Sequence, residues 1–222
     1  MPEMAGGGGA FERYHCDPRA DVLGLVPGGA GEILDLGCGG GALGQGLKAR
    51  GARVTGVEKN PRAAAAARSR LDRVVEADLE GAELPFEEAE FDCILYCDIL
   101  EHLRDPAALL ASTRRFLRPG GRIVVSVPNV RFYPVIKELL FRGRWEYADA
   151  GVLDRTHLRF FTLRSIEDML AGAGYRIERL ERKNCAAPKM RSRNRLLCGM
   201  LDDLCTDRYL VVARRAGEEG AP

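Results

Sequence analysis

The sequence predicts an α/β domain built on a mostly parallel sheet with helices on both faces, and three observations carry that prediction. From residue 31 onward, short runs rich in isoleucine and valine alternate with helix-like segments, as expected where each strand is covered on both sides. A glycine-rich turn, Asp35-Leu-Gly37-Cys-Gly39-Gly-Gly41-Ala-Leu-Gly44, joins the first such run to the first helical segment. The chain has 222 residues and 46% hydrophobic content, enough for one domain with a full core.

Taken in order, strands are expected at residues 32–36, 53–57, 73–77, 91–96 and 121–127, with helices at 42–50, 61–71 and 106–117 between them. The second of these helices has the clearest start. Asn60 suits the N-cap, Pro61 the first helical position, and an alanine run follows. The pattern changes after residue 127, where a stretch rich in aromatics and arginine, 129–160, reads as a lid inserted after the fifth strand. A last amphipathic helix at 163–171 is closed by Gly172 and Gly174, and two more strands follow at 176–182 and 209–214. Between them, 183–207 carries Lys189, Arg191, Arg193 and Arg195 and reads as a solvated basic segment. The domain is expected over 14–215, with flexible ends at 1–13 and 216–222, which hold too little apolar surface to offset ordering.

With 33 basic and 32 acidic residues the net charge is +1, so no global field favours nucleic acid, and none is expected as a partner. The seven cysteines are odd in number and contain no C-x-x-C pair, so they read as reduced thiols in a cytoplasmic protein, with no metal site among them. The N-terminus has neither a basic nor an apolar leader region, and no apolar stretch is long enough to span a bilayer.

The glycine turn is the main chemical signal. Gly39-x-Gly41-x-x-Gly44 matches a dinucleotide fingerprint, so the glycines alone fit either a nicotinamide dinucleotide or S-adenosylmethionine. Asp35 helps to separate them: a carboxylate there repels a pyrophosphate but attracts the sulfonium and ammonium groups of S-adenosylmethionine. A turn-capping role for Asp35 would need no ligand. Glu58 closes the second strand, where a carboxylate can accept from both ribose hydroxyls, and Asp78 follows the third strand, where it could read the adenine amine. With Asp98 after the fourth strand, four acidic residues are expected at strand carboxyl ends.

These residues resemble the class I S-adenosylmethionine-dependent methyltransferases, in the branch that includes ubiquinone-biosynthesis-type and glycosyltransferase-associated enzymes. The resemblance rests on the glycine turn with Val57-Glu58, Glu76-Ala-Asp78, Phe91-Asp92, Asp98-Ile-Leu-Glu-His102, Leu117-Arg-Pro-Gly-Gly121 and Ser126-Val-Pro-Asn129, in this order. It implies a Rossmann-like seven-stranded sheet of order 3-2-1-4-5-7-6 with the last strand antiparallel. It also implies S-adenosylmethionine as cofactor, with Gly37, Gly39 and Gly41 along its methionine part, Glu58 at the ribose, Asp78 and Leu79 at the adenine, and Cys97 and Asp98 beside the methyl donor. The run from Leu153 to Thr162 looks like the glycosyltransferase-associated branch, a resemblance that names a neighbourhood rather than a substrate; the aromatics and arginines of the lid suit a small-molecule acceptor such as a sugar, a glycan or a lipid-linked metabolite.

Methyl transfer to a hydroxyl is helped by a base near neutrality, and the chain has three histidines, His15, His102 and His157. His157, in the lid, and His102, after the fourth strand, are the catalytic candidates, each with a structural alternative of equal weight. Tyr14, Asn129 and Arg159 are the expected acceptor contacts. Two other functions stay open on the residues alone: a nicotinamide-dependent oxidoreductase, and a non-catalytic module that binds S-adenosylmethionine.

Overall fold

Seven strands form the expected sheet: β1 (Glu32–Leu36), β2 (Arg53–Glu58), β3 (Arg73–Glu76), β4 (Phe91–Cys97), β5 (Leu117–Pro128), β6 (Tyr175–Asn184) and β7 (Thr206–Arg215). Their order is β3-β2-β1-β4-β5-β7-β6. β1 pairs in parallel with β2 and β4, β2 pairs in parallel with β3, and β6 with β7 is antiparallel. The computed structural model describes residues 18–184 and 201–217. Expectations for Tyr14, His15, the end 1–13, the arginines and lysine of 189–195, and most of the tail lie outside the described residues. The described chain divides into two compact units, one holding 18–96 and 113–124, the other 97–112, 125–184 and 201–217.

In the first unit, β1 and β2 are buried along nearly their whole length, as parallel strands covered on both faces must be. Ile33, Leu34, Leu36, Val54, Val57 and Ile94 are at most 1% exposed, each worth roughly 1.5–3 kcal/mol of burial. Helix α1 (Ala20–Leu23) precedes the sheet; α2 (Ala42–Lys48) and α3 (Pro61–Arg68) follow β1 and β2. The cap expected for α3 is present: the Asn60 side chain accepts from the amides of Arg62 and Ala63 at 3.0 and 3.4 Å. Ala63, Ala64 and Ala67 are fully buried, so the alanine run gives this helix a flat face that can approach the sheet closely. Gly56 serves the same packing, because a Cβ there would lie 2.5 Å from Cys38 Sγ and 2.6 Å from Leu71 Cδ1.

β5 begins at Leu117, four residues before the expected start at 121. Arg-Pro-Gly-Gly reads as a loop in sequence, yet Gly121 is buried, and a Cβ on it would meet Asp92 O at 2.9 Å. Helix α4 (Pro106–Thr113) is correspondingly shorter than expected and passes through a 3-10 turn at Arg114–Phe116.

The second unit contains α5 (Tyr133–Arg142), which lies in the stretch expected as a lid insertion, where no helix was expected. Its signals were local: Pro134 sits at the helix start, and Gly143 (φ 62) takes the left-handed position after its end. None of its residues is buried; Leu140 and Phe141 are 70% and 74% exposed. Helix α6 (Leu163–Gly172) is held by a capping box between Thr162 and Ser165 and buries Ile166 and Leu170. A short α7 (Asp202–Cys205) leads into β7, which starts three residues before the expected 209. No helix among the described residues is long and apolar enough to cross a membrane.

Candidate functional site

The glycine turn after β1 is built by positive backbone angles that side chains would strain. Gly37, Gly39 and Gly41 have φ of 77, 53 and 80°. The amides of Gly37 and Cys38 donate to Val57 O at 2.8 and 3.0 Å, which ties the turn to the end of β2. Glu58 completes this tie. Its Oε2 accepts from the Gly39 amide at 2.9 Å and its Oε1 from the Asn60 amide at 2.7 Å, at 8% exposure. A carboxylate has about four lone-pair directions, so these two bonds leave capacity for hydroxyl donors. Sequence reasoning gave Glu58 only a ligand role; the bracing role depends on which amides the turn aims at it, and spacing does not show that. Arg70 Nη1 also braces the turn, donating to Gly40 O at 2.6 Å.

Asp35 lies within β1 between Gly56 and Leu95 of the neighbouring strands and is 2% exposed. Burial, reinforced by the charge of Glu58 and only partly offset by Arg19, raises its pKa from 3.8 to about 7. The turn-capping alternative has no support among the described hydrogen bonds, since no backbone amide donates to Asp35 there. Asp78 lies two residues past the end of β3, exposed, and its Oδ1 accepts from the Glu80 amide at 3.0 Å; Leu79 is half-buried.

Cys97, the last residue of β4, and Asp98, the next, open the second unit and are half-buried. Asp98 has a left-handed backbone (φ 53), a region that aspartate tolerates better than most residues. Its Oδ1 accepts from Ser126 Oγ at 2.9 Å, and its Oδ2 lies 3.3 Å from the Arg208 guanidinium. A 3-10 turn, Leu100–His102, follows. The structure brings His102 and His157 together, with ring centroids 4.9 Å apart and the rings edge to face. Burial, followed by the neighbouring His157, lowers the pKa of His102 below its usual value.

Glu101 is the residue that sequence reasoning passed over. It is 1% exposed, and one ligand atom each from Glu101, His102 and His157 lies within 4.8 Å of the others. The signal available was its place beside His102; its contact with His157 spans more than fifty residues and needs the fold.

Asn129, read from the sequence as an acceptor contact, has its side chain bonded within the protein. It is fully buried, its Nδ2 donates to Asp203 O and Thr206 O at 2.7 and 2.8 Å, and its Oδ1 accepts from the Arg131 amide at 2.9 Å. It is a structural tie between the start of the lid and β7. Arg159 is exposed and its guanidinium donates to Arg104 O. Around His157 the lid gathers aromatics: Phe160 is 6.4 Å from His157 and 5.1 Å from Trp145, centroid to centroid.

A family model described as a methyltransferase domain matches residues 10–180, more than three quarters of the chain. This chain belongs to the methyltransferase-domain family. Membership favours S-adenosylmethionine over the nicotinamide cofactor that the glycine spacing alone left open. The chain is similar to the ubiquinone biosynthesis O-methyltransferase of Aromatoleum aromaticum, 36% identical over 144 residues that cover 58% of this chain and 62% of the relative. It spans about half to three fifths of the length of the curated relatives it matches. Among solved structures, an S-adenosylmethionine-dependent methyltransferase from Mesorhizobium loti aligns with a TM-score of 0.63 at 23% identity, over 90% of this chain and 98% of that one. Another from Archaeoglobus fulgidus reaches 0.67 at 18% identity, over 92% and 98%. At these identities the two structures speak for the class I methyltransferase fold.

Proposed function

We propose that the chain is an S-adenosylmethionine-dependent methyltransferase that methylates a hydroxyl of a small molecule. The observation that carries this reading is the state of Asp35. A buried carboxylate beside a second one is unfavourable by itself, and it becomes favourable when a cation arrives. S-adenosylmethionine brings two positive groups, a sulfonium and an ammonium, and no phosphate for the acidic residues to repel. In this reading Gly37, Gly39 and Gly41 border the methionine part, Glu58 binds the ribose with its remaining lone pairs, and Asp78 with Leu79 borders the adenine. Cys97 and Asp98 belong beside the methyl.

The acceptor oxygen forms a bond to the methyl carbon as the carbon–sulfur bond breaks. The bonding pair goes to sulfur, leaving neutral S-adenosylhomocysteine, and the hydroxyl proton must be removed. Holding the two reactants in line supplies much of the acceleration. Glu101, His102 and His157 are the groups to handle the hydroxyl, and the O-methyltransferase names of the curated relatives support oxygen as the accepting atom. The exposed aromatics of the lid, Trp145 and Tyr147 among them, suit a sugar, a glycan or a lipid-linked acceptor. The free thiols of Cys38, Cys93, Cys97 and Cys205 support a reducing, cytoplasmic setting.

The test is labelled-methyl transfer from S-adenosylmethionine across a panel of phenols, sugars, lipid-linked glycans, amines and small acids. Label appearing as an ether on a hydroxyl acceptor is the expected result. Transfer confined to amines would overturn the hydroxyl reading, and donor binding with no transfer to any acceptor would favour a non-catalytic module.

A further inference from the structure

We propose that Arg208 selects acceptors carrying an oxyanion, a carboxylate or a phosphate, and holds that group with the guanidinium donors that Asp98 leaves unused. Anion binding at Arg208 stands on the geometry alone; the selection of an acceptor rests on the methyltransferase reading above.

The start of β7 is built to aim this side chain. Asn129, the residue after β5, donates its amide to Asp207 O and its Nδ2 to Thr206 O, both at 2.8 Å, so the backbone on the N-terminal side of Arg208 is fastened. The pairing with β6 shifts at the same place: Lys183 lies opposite Arg208 and Asn184 opposite Thr206, which leaves Asp207 as an extra residue on β7. A bulge of this kind re-aims the side chains beside it. Here the Arg208 guanidinium reaches Asp98 Oδ2 at 3.3 Å.

Asp98 is held from its other side. Its amide donates to Ser126 O at 3.0 Å and its Oδ1 accepts from Ser126 Oγ at 2.9 Å, with Ser126 fully buried. A carboxylate fixed in this way orients the guanidinium without consuming it. Arginine has five N–H donors in a planar fork that matches the paired oxygens of a carboxylate or a phosphate. Among the described residues the Arg208 guanidinium is engaged only through Nη1, and its side chain is 32% exposed, so the remaining donors are open to a solute. Lys183 is exposed and directly opposite on the antiparallel ladder, which brings a second cation to the same face. Like charges so opposed destabilise each other, and an anion between them relieves that cost.

The position is that of an acceptor contact. Asp98 stands just before the 3-10 turn that carries His102. Burial, then His157, lower the pKa of His102, and the Asp98 charge is among the groups that oppose them, so the ion pair and the two imidazoles share one electrostatic neighbourhood. An acceptor that presents its hydroxyl to those rings has Arg208 available for a charged group elsewhere on the same molecule. Neutralising Asp98 needs only a point charge, which lysine also supplies; the fork is what an oxyanion uses.

Calorimetry with inorganic phosphate and with benzoate reads the anion site on wild type, Arg208→Gln and Arg208→Lys. Wild type should bind one of these anions about 10- to 100-fold tighter than Arg208→Gln, the loss of a charge-assisted pair, and the tighter probe tells phosphate from carboxylate. Arg208→Lys keeps a charge beside Asp98 and guards against a variant that fails to fold; it should fall between the two. Labelled-methyl transfer then compares catechol with protocatechuate, which adds a carboxylate, and glycerol with glycerol phosphate. Arg208→Gln should raise KM for the charged member about 10- to 100-fold and leave the neutral member within about threefold, whereas a merely structural arginine would affect both alike. Failure of wild type to bind either anion, or equal binding by folded Arg208→Gln, would overturn the proposal. Anion binding that needs Arg208, with no transfer to any acceptor, would refute the methyltransferase reading and leave the anion site standing; transfer indifferent to acceptor charge would do the reverse.

Discussion

Replacing Asp35 by Asn should stabilise the unliganded protein and weaken donor binding, two effects of opposite sign from one buried charge. In the unfolded chain this carboxyl ionises near 3.8, while in the folded protein burial and Glu58 hold its proton to about 7. Between those values the unfolded state is the one that gains from ionisation, so folding stability falls as pH rises from about 4 to about 7 and stays low above it. A separation of about three pH units, at about 1.36 kcal/mol each, makes the loss roughly 4 kcal/mol at pH 8. The Asn variant lacks this titration, so it should exceed wild type in urea unfolding by up to roughly that amount at pH 8 and by little at pH 4. The same variant has no charge to offer the sulfonium or the ammonium, and calorimetry should show at least about tenfold weaker S-adenosylmethionine binding, ~1.4 kcal/mol. Parallel stability profiles for the two proteins between pH 4 and 8, or unchanged donor affinity in the variant, would refute the reasoning.

Three further outcomes follow from the same geometry. Glu58→Gln places an amide where a carboxylate accepts from Gly39 and Asn60, so donor affinity should fall about 10- to 100-fold, the loss of one charged hydrogen bond at roughly 1.5–3 kcal/mol; unchanged calorimetry would remove Glu58 from the ribose. Asn129→Ala removes two bonds to backbone carbonyls and the acceptor of the Arg131 amide and should lower stability by roughly 1–3 kcal/mol in urea unfolding, whereas a cost under about 0.5 kcal/mol would show that the tie carries no weight. His157→Ala should leave donor affinity within about twofold yet lower turnover on a hydroxyl acceptor by about 10²- to 10⁴-fold, and unchanged turnover in the folded variant would take His157 off the acceptor side.

The sheet was legible because its signals are local and repeated. Parallel strands buried on both faces appear as apolar runs, and Asn60-Pro61 marks a helix start by itself. Boundaries were less so: Leu117-Arg-Pro-Gly-Gly121 looks like a turn, yet Gly121 lets β5 pass under the Asp92 carbonyl and the strand begins there. Helix α5 went unread although Pro134 and Gly143 flag its ends, because none of its apolar residues is buried and the arginines around it drew attention to charge. At the donor turn, the residue types and their order could be read, while the double grip of Glu58 could not. At the histidines the limit was distance along the chain. His102 and His157 each read as even between base and bystander, and only the fold shows them side by side with Glu101. Asn129 meets the same limit: it is a polar residue at a strand end whose bonds to Asp203, Thr206 and Arg131 only the fold shows.

The central claim is that the acid-lined glycine turn holds S-adenosylmethionine, and titration calorimetry of the intact protein tests it most directly. The account predicts one S-adenosylmethionine bound per chain, no heat from a nicotinamide dinucleotide, and affinity that rises from pH 6 to pH 8 as Asp35 ionises. Dinucleotide binding in place of S-adenosylmethionine, or donor affinity that does not change across that range, would contradict it.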